Sequence, residues 1–208
     1  MKKVFTSVNI ILILNFMATA CLKVDDAYDP SKASDESQGL SISNSPEQET
    51  SLSIVSSDRV LRNMSSVAGV TPSPDTEAVM ERNKSAFPLN GEISEITSGM
   101  WMALTALASS VCMDLYDKEK SLSDSNRIFY RGVNFSGGGF SVERRESIIQ
   151  RLTLAFWGRS ASSDEQQELL NAMSEAGLSG SSLDESATRD VLLILCTGTL
   201  SALGAQTF

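Results

Sequence analysis

Residues 100–115, MWMALTALASSVCMDL, are the stretch that decides the fold. Their apolar side chains recur every three or four residues, at Trp101, Leu104, Leu107, Ala108, Val111, Cys112 and Leu115. That spacing places them on one face of an α-helix and predicts that this face packs into a core. A ligand pocket built from Trp101 and the Met100/Met102 pair is the alternative, but core packing is the usual role of such a stripe.

The rest of residues 57–208 carries further start and stop signals of helices. Serine, aspartate or proline stands where a helix begins, and glycine stands where it ends. The predicted starts are Ser57 or Asp58, Ser73-Pro74-Asp75, a point near Val142, and capping boxes at 162–165 and 182–185. The predicted stops are Gly69, a point before Pro88, Gly158 and Gly177. Because no strand-like alternation competes, the predicted fold is all-α, a compact bundle or array of five to six helices.

The first 20 residues have the order of a secretory signal. Lys2 and Lys3 precede an apolar stretch over residues 8–17, and small residues follow at 18–20. Asn9 and Asn15 interrupt the apolar stretch, which is shorter than the roughly 20 residues that a membrane-spanning helix needs. We therefore predict that residues 1–20 are a signal peptide that is removed on export.

Cys21 follows directly, and the run Ala18-Thr19-Ala20-Cys21 resembles the lipobox of bacterial lipoproteins. The resemblance implies that Cys21 is acylated and becomes the mature N-terminus, so that lipid chains hold the protein at a membrane. An aspartate after the cysteine commonly retains such lipoproteins at the inner membrane. Leu22 stands there in this chain, which favours the outer membrane, either its periplasmic face or its exposed surface. A cleaved signal without a lipid is the alternative.

Residues 21–56 are predicted to be a disordered tether. Ser, Asp, Glu, Gln and Pro dominate this segment, and its aliphatic residues are scattered. So little apolar surface does not offset the entropy lost when a chain becomes ordered. Asp25, Asp26 and Asp29 lack the ligand spacing and the central glycine of a calcium loop, so we interpret them as solvated acids.

The charge of the exported chain limits its partners. The whole chain has 17 basic and 26 acidic residues, and removal of residues 1–20 takes away two lysines and no acid, which leaves 15 − 26 = −11. Nucleic acids and anionic lipid surfaces bind basic proteins. We therefore expect no nucleic-acid partner, and instead a protein of the cell envelope, a neutral glycan or a cation.

Cys112 and Cys196 are the two cysteines of the body. Each lies on the apolar face of a predicted helix, and an exported protein meets a compartment that permits disulfides. We predict a disulfide between them, with two separate buried thiols as the alternative.

The connection before the Val142 helix contains a glycine run. Gly137, Gly138 and Gly139 offer backbone N–H groups that cradle a phosphate in other proteins, and Arg144 and Arg145 would add positive charge. The lysine pattern of a phosphate-binding loop is absent. We consider an anion site at these five residues and, as the alternative, a mobile glycine-rich connection.

Several catalytic systems are excluded. The chain contains no histidine, which removes Ser-His and Cys-His nucleophiles and histidine-ligated metals. The serine hydrolase motifs SxxK and GxSxG are also absent. Carboxylate pairs stand at helical spacing at Glu92/Glu95, Asp114/Asp117, Glu143/Glu146 and Glu165/Glu168. A solvated helix face is the expected explanation of these pairs, so we predict no metal and no cofactor.

Residues 144–159, followed by 162–165, resemble a helix-turn-helix element of large exported bacterial proteins of planctomycete and proteobacterial type. The shared features are an arginine-rich helix, the Gly158-Arg159 turn and a capped helix rich in glutamate. Residues 191–206 similarly resemble the C-termini of envelope proteins that carry a cysteine in the last helix. These resemblances imply an exported helical module and bring no catalytic residue.

Two functions remain open. The first is a non-enzymatic, membrane-anchored envelope lipoprotein that binds or scaffolds another envelope protein. The alternative is a carboxylate-dependent hydrolase of glycan or peptidoglycan. A binding module should present an apolar or charge-patterned surface, whereas a hydrolase needs a deep cleft lined by acids.

Overall fold

The computed structural model describes residues 57–87 and 97–206. In that part of the chain it has two three-residue strands, β1 Gly137–Gly139 and β2 Ser182–Asp184. Its six helices are α1 Ser57–Ala68, α2 Pro74–Asn83, α3 Ser98–Ser121, α4 Val142–Trp157, α5 Ser163–Glu175 and α6 Glu185–Gln206. The prediction of an all-α fold with five to six helices is confirmed. The predicted signal peptide, Cys21, the predicted tether and the Glu92/Glu95 pair lie outside the described residues.

Most helix ends lie where the capping signals predict them. Ser162 and Glu165 form both hydrogen bonds of a capping box at the start of α5. The predicted stops at Gly69, Gly158 and Gly177 all have positive φ angles. Glycine adopts that conformation without strain, so each helix ends there and the chain changes direction.

The start of α6 differs from the prediction. No capping box forms at 182–185, because residues Ser182–Asp184 are extended in β2 and the helix begins only at Glu185. Asp184 takes over the capping role, and its Oδ1 accepts a hydrogen bond from the backbone N of Ala187 at 2.7 Å. The predicted capping box is therefore wrong, although a cap exists two residues later.

The glycine run is one strand of a small antiparallel sheet. The register places Gly138 opposite Leu183 of β2. Gly137 has a φ of +92°, and a Cβ at this position would lie 2.8 Å from the carbonyl oxygen of Leu183. Only glycine fits this close approach of two backbones. The sequence did not predict these strands, because three glycines carry no side-chain alternation.

The helices α3 and α6 form the centre of the described body. Cys112 of α3 and Cys196 of α6 are joined by a disulfide, with their Cα atoms 5.8 Å apart and both side chains fully buried. The predicted disulfide is confirmed. Helices α1, α3, α4 and α5 all contact α6, and every side chain of residues 191–202 is buried or half-buried. Four of the five other described helices therefore pack against α6, and α2 packs against α3.

The predicted stripe of α3 packs into this core. Six of its seven residues are buried, namely Leu104, Leu107, Ala108, Val111, Cys112 and Leu115. Trp101 is half-buried, Met100 is buried and Met102 is 58% exposed, so these three do not line one pocket. Among the described residues, no helix combines the length and the apolar character that crossing a membrane requires.

The connection between α3 and α4, residues 122–141, is packed against the core. Five of its side chains are buried: Phe129, Tyr130, Val133, Phe135 and Phe140. The rings of Tyr130 and Phe135 meet edge to face, with centroids 6.2 Å apart. Burial of these aromatic rings stabilises one conformation of the connection, and mobility of its glycine run stays a prediction.

Candidate functional site

Helix α4 carries four of the charged residues that the sequence suggests as site candidates, Glu143, Arg144, Arg145 and Glu146. Its inner face packs through four buried apolar side chains, Ile148, Ile149, Leu152 and Phe156. Residues three, four and seven apart share one side of a helix, so the solvent side has two edges of opposite charge. We call Arg144 and Arg151, together with Arg131 of the connection, the arginine edge. Glu143 and Glu146 form the acid edge.

The arginine edge lies where α4 meets the connection. Arg151 Nη1 donates to the carbonyl oxygen of Arg131 at 3.0 Å. Arg144 Nη1 donates to the carbonyl oxygen of Gly139 at 3.3 Å, and Arg131 Nη2 donates to that of Ser125 at 3.3 Å. In the described part of the chain, no carboxylate forms an ion pair with any of these three arginines. Backbone carbonyls position the edge, and no acid from residues 57–87 or 97–206 forms an ion pair with it.

Arg145 points to the interior. It is 3% exposed, it donates to the carbonyl oxygens of Ser179 and Gly180, and it lies 5.6 Å from the ring centroid of Phe140. Burial lowers the pKa of this guanidinium. The five residues considered as an anion site thus divide between a strand pair, the surface and the interior. Only Arg144 remains at the surface with its charge accessible, and anion binding there stays a prediction.

The acid edge borders a groove between α4 and the turn that leads to α5. The groove has a volume of about 320 Å³ and is open to solvent. Its lining is almost wholly polar, from Glu143, Glu146, Ser147, Gln150, Ser160, Ala161 and Gln166. A hydrogen bond from the Ser141 side chain lowers the pKa of Glu143. Both carboxylates lie on the same helix and therefore on the same wall of the groove.

The Gly158-Arg159 turn has a structural role at the rim of this groove. Two terminal nitrogens of Arg159 donate to the two carboxylate oxygens of Glu165, at 2.8 and 2.7 Å. These bonds lower the pKa of Glu165 to about 2. The Arg159 guanidinium also lies 5.1 Å from the ring of Trp157, whose Nε1 donates to the carbonyl oxygen of Thr199 at 2.9 Å. The turn therefore links α4 to α5 through the Arg159–Glu165 pair, and the adjacent Trp157 links α4 to α6.

The Asp114/Asp117 pair is split between two roles. Asp114 Oδ2 accepts hydrogen bonds from the backbone N of Ser73 at 3.0 Å and from Thr76 Oγ1 at 2.7 Å. Asp117 is exposed. The expected solvated face is correct for Asp117 and wrong for Asp114, which joins α2 to α3. Among the described residues, no three acidic or cysteine side chains are grouped closely enough to hold a metal ion.

Glu119 is a buried carboxylate that the sequence analysis did not single out. It is 2% exposed. Its two oxygens accept hydrogen bonds from three consecutive backbone N atoms, of Ile128, Phe129 and Tyr130, at 2.8, 2.9 and 2.6 Å. Burial, and to a lesser extent the Glu119 charge, raises the pKa of the Tyr130 hydroxyl. A signal was present, because Glu119 follows Leu115 by four residues and so falls on the apolar stripe, where a carboxylate needs hydrogen-bond donors.

Comparison with known proteins assigns no family to the chain. No protein-family model matches it, and neither a curated protein nor a solved structure is significantly similar. The resemblances to bacterial lipoproteins and to exported helical modules remain predictions.

Proposed function

We propose that this protein is a membrane-anchored lipoprotein of the bacterial cell envelope that acts as a non-enzymatic binding or scaffolding module. The proposal joins the lipobox-like leader, with Cys21 as the acylated residue, to the helical body. Its location would be the outer membrane, on the periplasmic face or the exposed surface, and its partner would be another envelope protein.

The disulfide supports the export part of this proposal. Cys112 and Cys196 are fully buried and bonded to each other at the centre of the body. Structural disulfides persist in oxidising compartments such as the periplasm and are rare in the cytosol. A body that contains a buried disulfide is therefore consistent with the exported chain that the leader predicts.

The surface of α4 carries the binding part of the proposal. A row of arginines that form no ion pair within the described residues adjoins a row of glutamates on the solvent side of the helix, which is the charge-patterned surface expected of a binding module. Charged patterns of this kind select and orient protein partners. The charges are held in place, because the arginines donate to backbone carbonyls and α4 is packed on α6.

The experiment for anchoring compares the wild-type chain with Cys21→Ala in cell fractionation. We expect the wild type in the membrane fraction and the variant in the soluble fraction, since several acyl chains on one residue give stable membrane attachment. Mass spectrometry of the N-terminal peptide should show the lipid on wild-type Cys21. Ser31→Ala, ten residues further along, is the control and should remain with the membrane. A Cys21→Ala variant that stays in the membrane fraction contradicts the proposal.

A hydrolase of glycan or peptidoglycan is the second candidate, because Glu143 and Glu146 line a groove of about 320 Å³. Glycosidases place two carboxylates on either side of the scissile bond, whereas these two come from one wall. The binding function is therefore the better supported of the two. If the protein is a hydrolase, purified protein should cleave peptidoglycan and Glu146→Gln should abolish cleavage, with Glu175→Gln as the unaffected control.

A further inference from the structure

We infer that the arginine edge binds an acidic segment of a partner protein. The edge consists of Arg131, Arg144 and Arg151, and the exposed residue Ile128 directly precedes Phe129, whose carbonyl oxygen accepts a hydrogen bond from Arg151. The inference rests on the proposed binding function and names the chemistry of the partner that this function requires.

The first observation is that the arginines of the edge form no ion pair within the described part of the chain. A guanidinium has five N–H donors, yet Arg144 uses only its Nη1 group and Arg131 only its Nη2 group in hydrogen bonds within the described residues. No carboxylate pairs with either one there. Arginine forms its strongest hydrogen bonds with carboxylates, often in a two-pronged geometry. The free donors therefore match the carboxylates of Asp and Glu side chains.

The second observation is an exposed apolar residue in the connection whose backbone contacts Arg151. Ile128 is 66% exposed, while its backbone N is fixed by a hydrogen bond to Glu119. The carbonyl oxygen of the next residue, Phe129, accepts a hydrogen bond from the Arg151 guanidinium at 3.2 Å, so Ile128 directly precedes a residue that contacts the arginine edge. An aliphatic contact flanked by arginines is typical of protein interfaces.

The net charge of the chain decides between partner classes. The mature chain carries −11, so an extended polyanion such as a nucleic acid or an anionic membrane surface would be repelled by most of the surface. A short acidic segment contacts only the edge, and salt screens charges that lie more than about 10 Å away. A segment with two or three carboxylates and one apolar residue therefore fits the edge best.

The experiment measures binding of defined probes to the full chain in detergent. The main probe is a fluorescent eight-residue peptide of alternating Glu and Leu, and the matched probe replaces each Glu by Gln. We expect binding of the Glu peptide alone, and a loss of at least about tenfold in affinity in Arg131→Gln/Arg144→Gln. Arg59→Gln/Arg62→Gln on α1 removes the same charge elsewhere and should bind like the wild type.

Further measurements distinguish specific binding at the arginine edge from non-specific electrostatic attraction. The variant Arg131→Lys/Arg144→Lys keeps the charge but loses the planar fork, so it should bind with intermediate affinity. Thermal unfolding of the Lys variant and of the Gln variants shows whether each of them remains folded. Equal loss of binding in the α1 control, or binding of inorganic phosphate or of anionic phosphatidylglycerol vesicles at least as tight as that of the peptide, would overturn the inference.

A photo-crosslinking residue at Ile128 tests the edge in cells. The captured peptides should be rich in Asp and Glu, and they should disappear in Arg131→Gln/Arg144→Gln. Captured segments without excess acid would refute the inference. Failure of either test leaves the outcome of the Cys21→Ala fractionation unchanged, so an error in the partner chemistry is distinguishable from an error in the anchoring.

Discussion

The α3–α6 helix pair and the connection of residues 122–141 both bury side chains in the core, but different interactions stabilise them. The helix pair buries apolar stripes and is joined by the Cys112–Cys196 disulfide. The connection is organised by charged groups: the Glu119 carboxylate accepts three backbone hydrogen bonds. Arg127 donates to the carbonyl oxygens of Glu119 at 2.9 Å and Val133 at 2.8 Å.

The difference follows from where the backbone hydrogen bonds go. In α3 and α6 the helices satisfy their own N–H and C=O groups, so the side chains need only bury apolar area. The connection has little regular structure, and its buried backbone groups must find other partners. Glu119 and Arg127 supply them, and the Arg127 guanidinium also lies 4.5 Å from the ring of Phe135. A connection of this kind brings charged side chains into a largely apolar body.

The largest loss of stability is expected when the disulfide of the helix pair is removed. The two cysteines are 84 residues apart in the sequence, so their disulfide closes a long loop of the unfolded chain. Cys112→Ala/Cys196→Ala should therefore lower the free energy of unfolding by about 4 kcal/mol. Urea unfolding of the variant and the wild type measures the difference. Reductant should destabilise the wild type and leave the variant unchanged. Equal midpoints for the oxidised wild type and the variant would contradict the stabilising role of the disulfide.

A smaller and more local loss of stability is expected when the Glu119 carboxylate that supports the connection is altered. Glu119→Gln replaces one acceptor oxygen by an amide group that faces backbone donors, and should cost about 3 kcal/mol. Hydrogen exchange should accelerate at the amides of residues 128–130, while the amides of α6 keep most of their protection. Asp117→Asn on the exposed side of the same helix is the control. Uniform acceleration in both regions would show that the connection and the helix pair are not separate units of stability.

The same difference explains what the sequence could predict. The helix pair was predictable because apolar periodicity marks its faces and because two cysteines lie on them. The charged residues of α4 could also be identified from the sequence. Their grouping could not, because Arg145 turns inward to carbonyl oxygens that have no sequence signature. The partners of Glu119 are likewise backbone N–H groups, which every residue except proline possesses. Pairing of β1 with β2 was missed for the same reason.

The smallest loss of stability is expected for substitutions in the glycine run, where two positions of one strand can be compared directly. A Cβ at Gly137 would lie 2.8 Å from the carbonyl oxygen of Leu183, and φ there is +92°, whereas a Cβ at Gly139 meets nothing within 4 Å. Gly137→Ala should therefore destabilise the protein by about 2 kcal/mol, and Gly139→Ala by well under about 1 kcal/mol. Denaturant unfolding of both variants measures the two costs. Because both substitutions add one methyl group to one three-residue strand, equal costs would show that the backbone contact between β1 and β2 does not require glycine at 137, and that the run is selected for something other than this pairing.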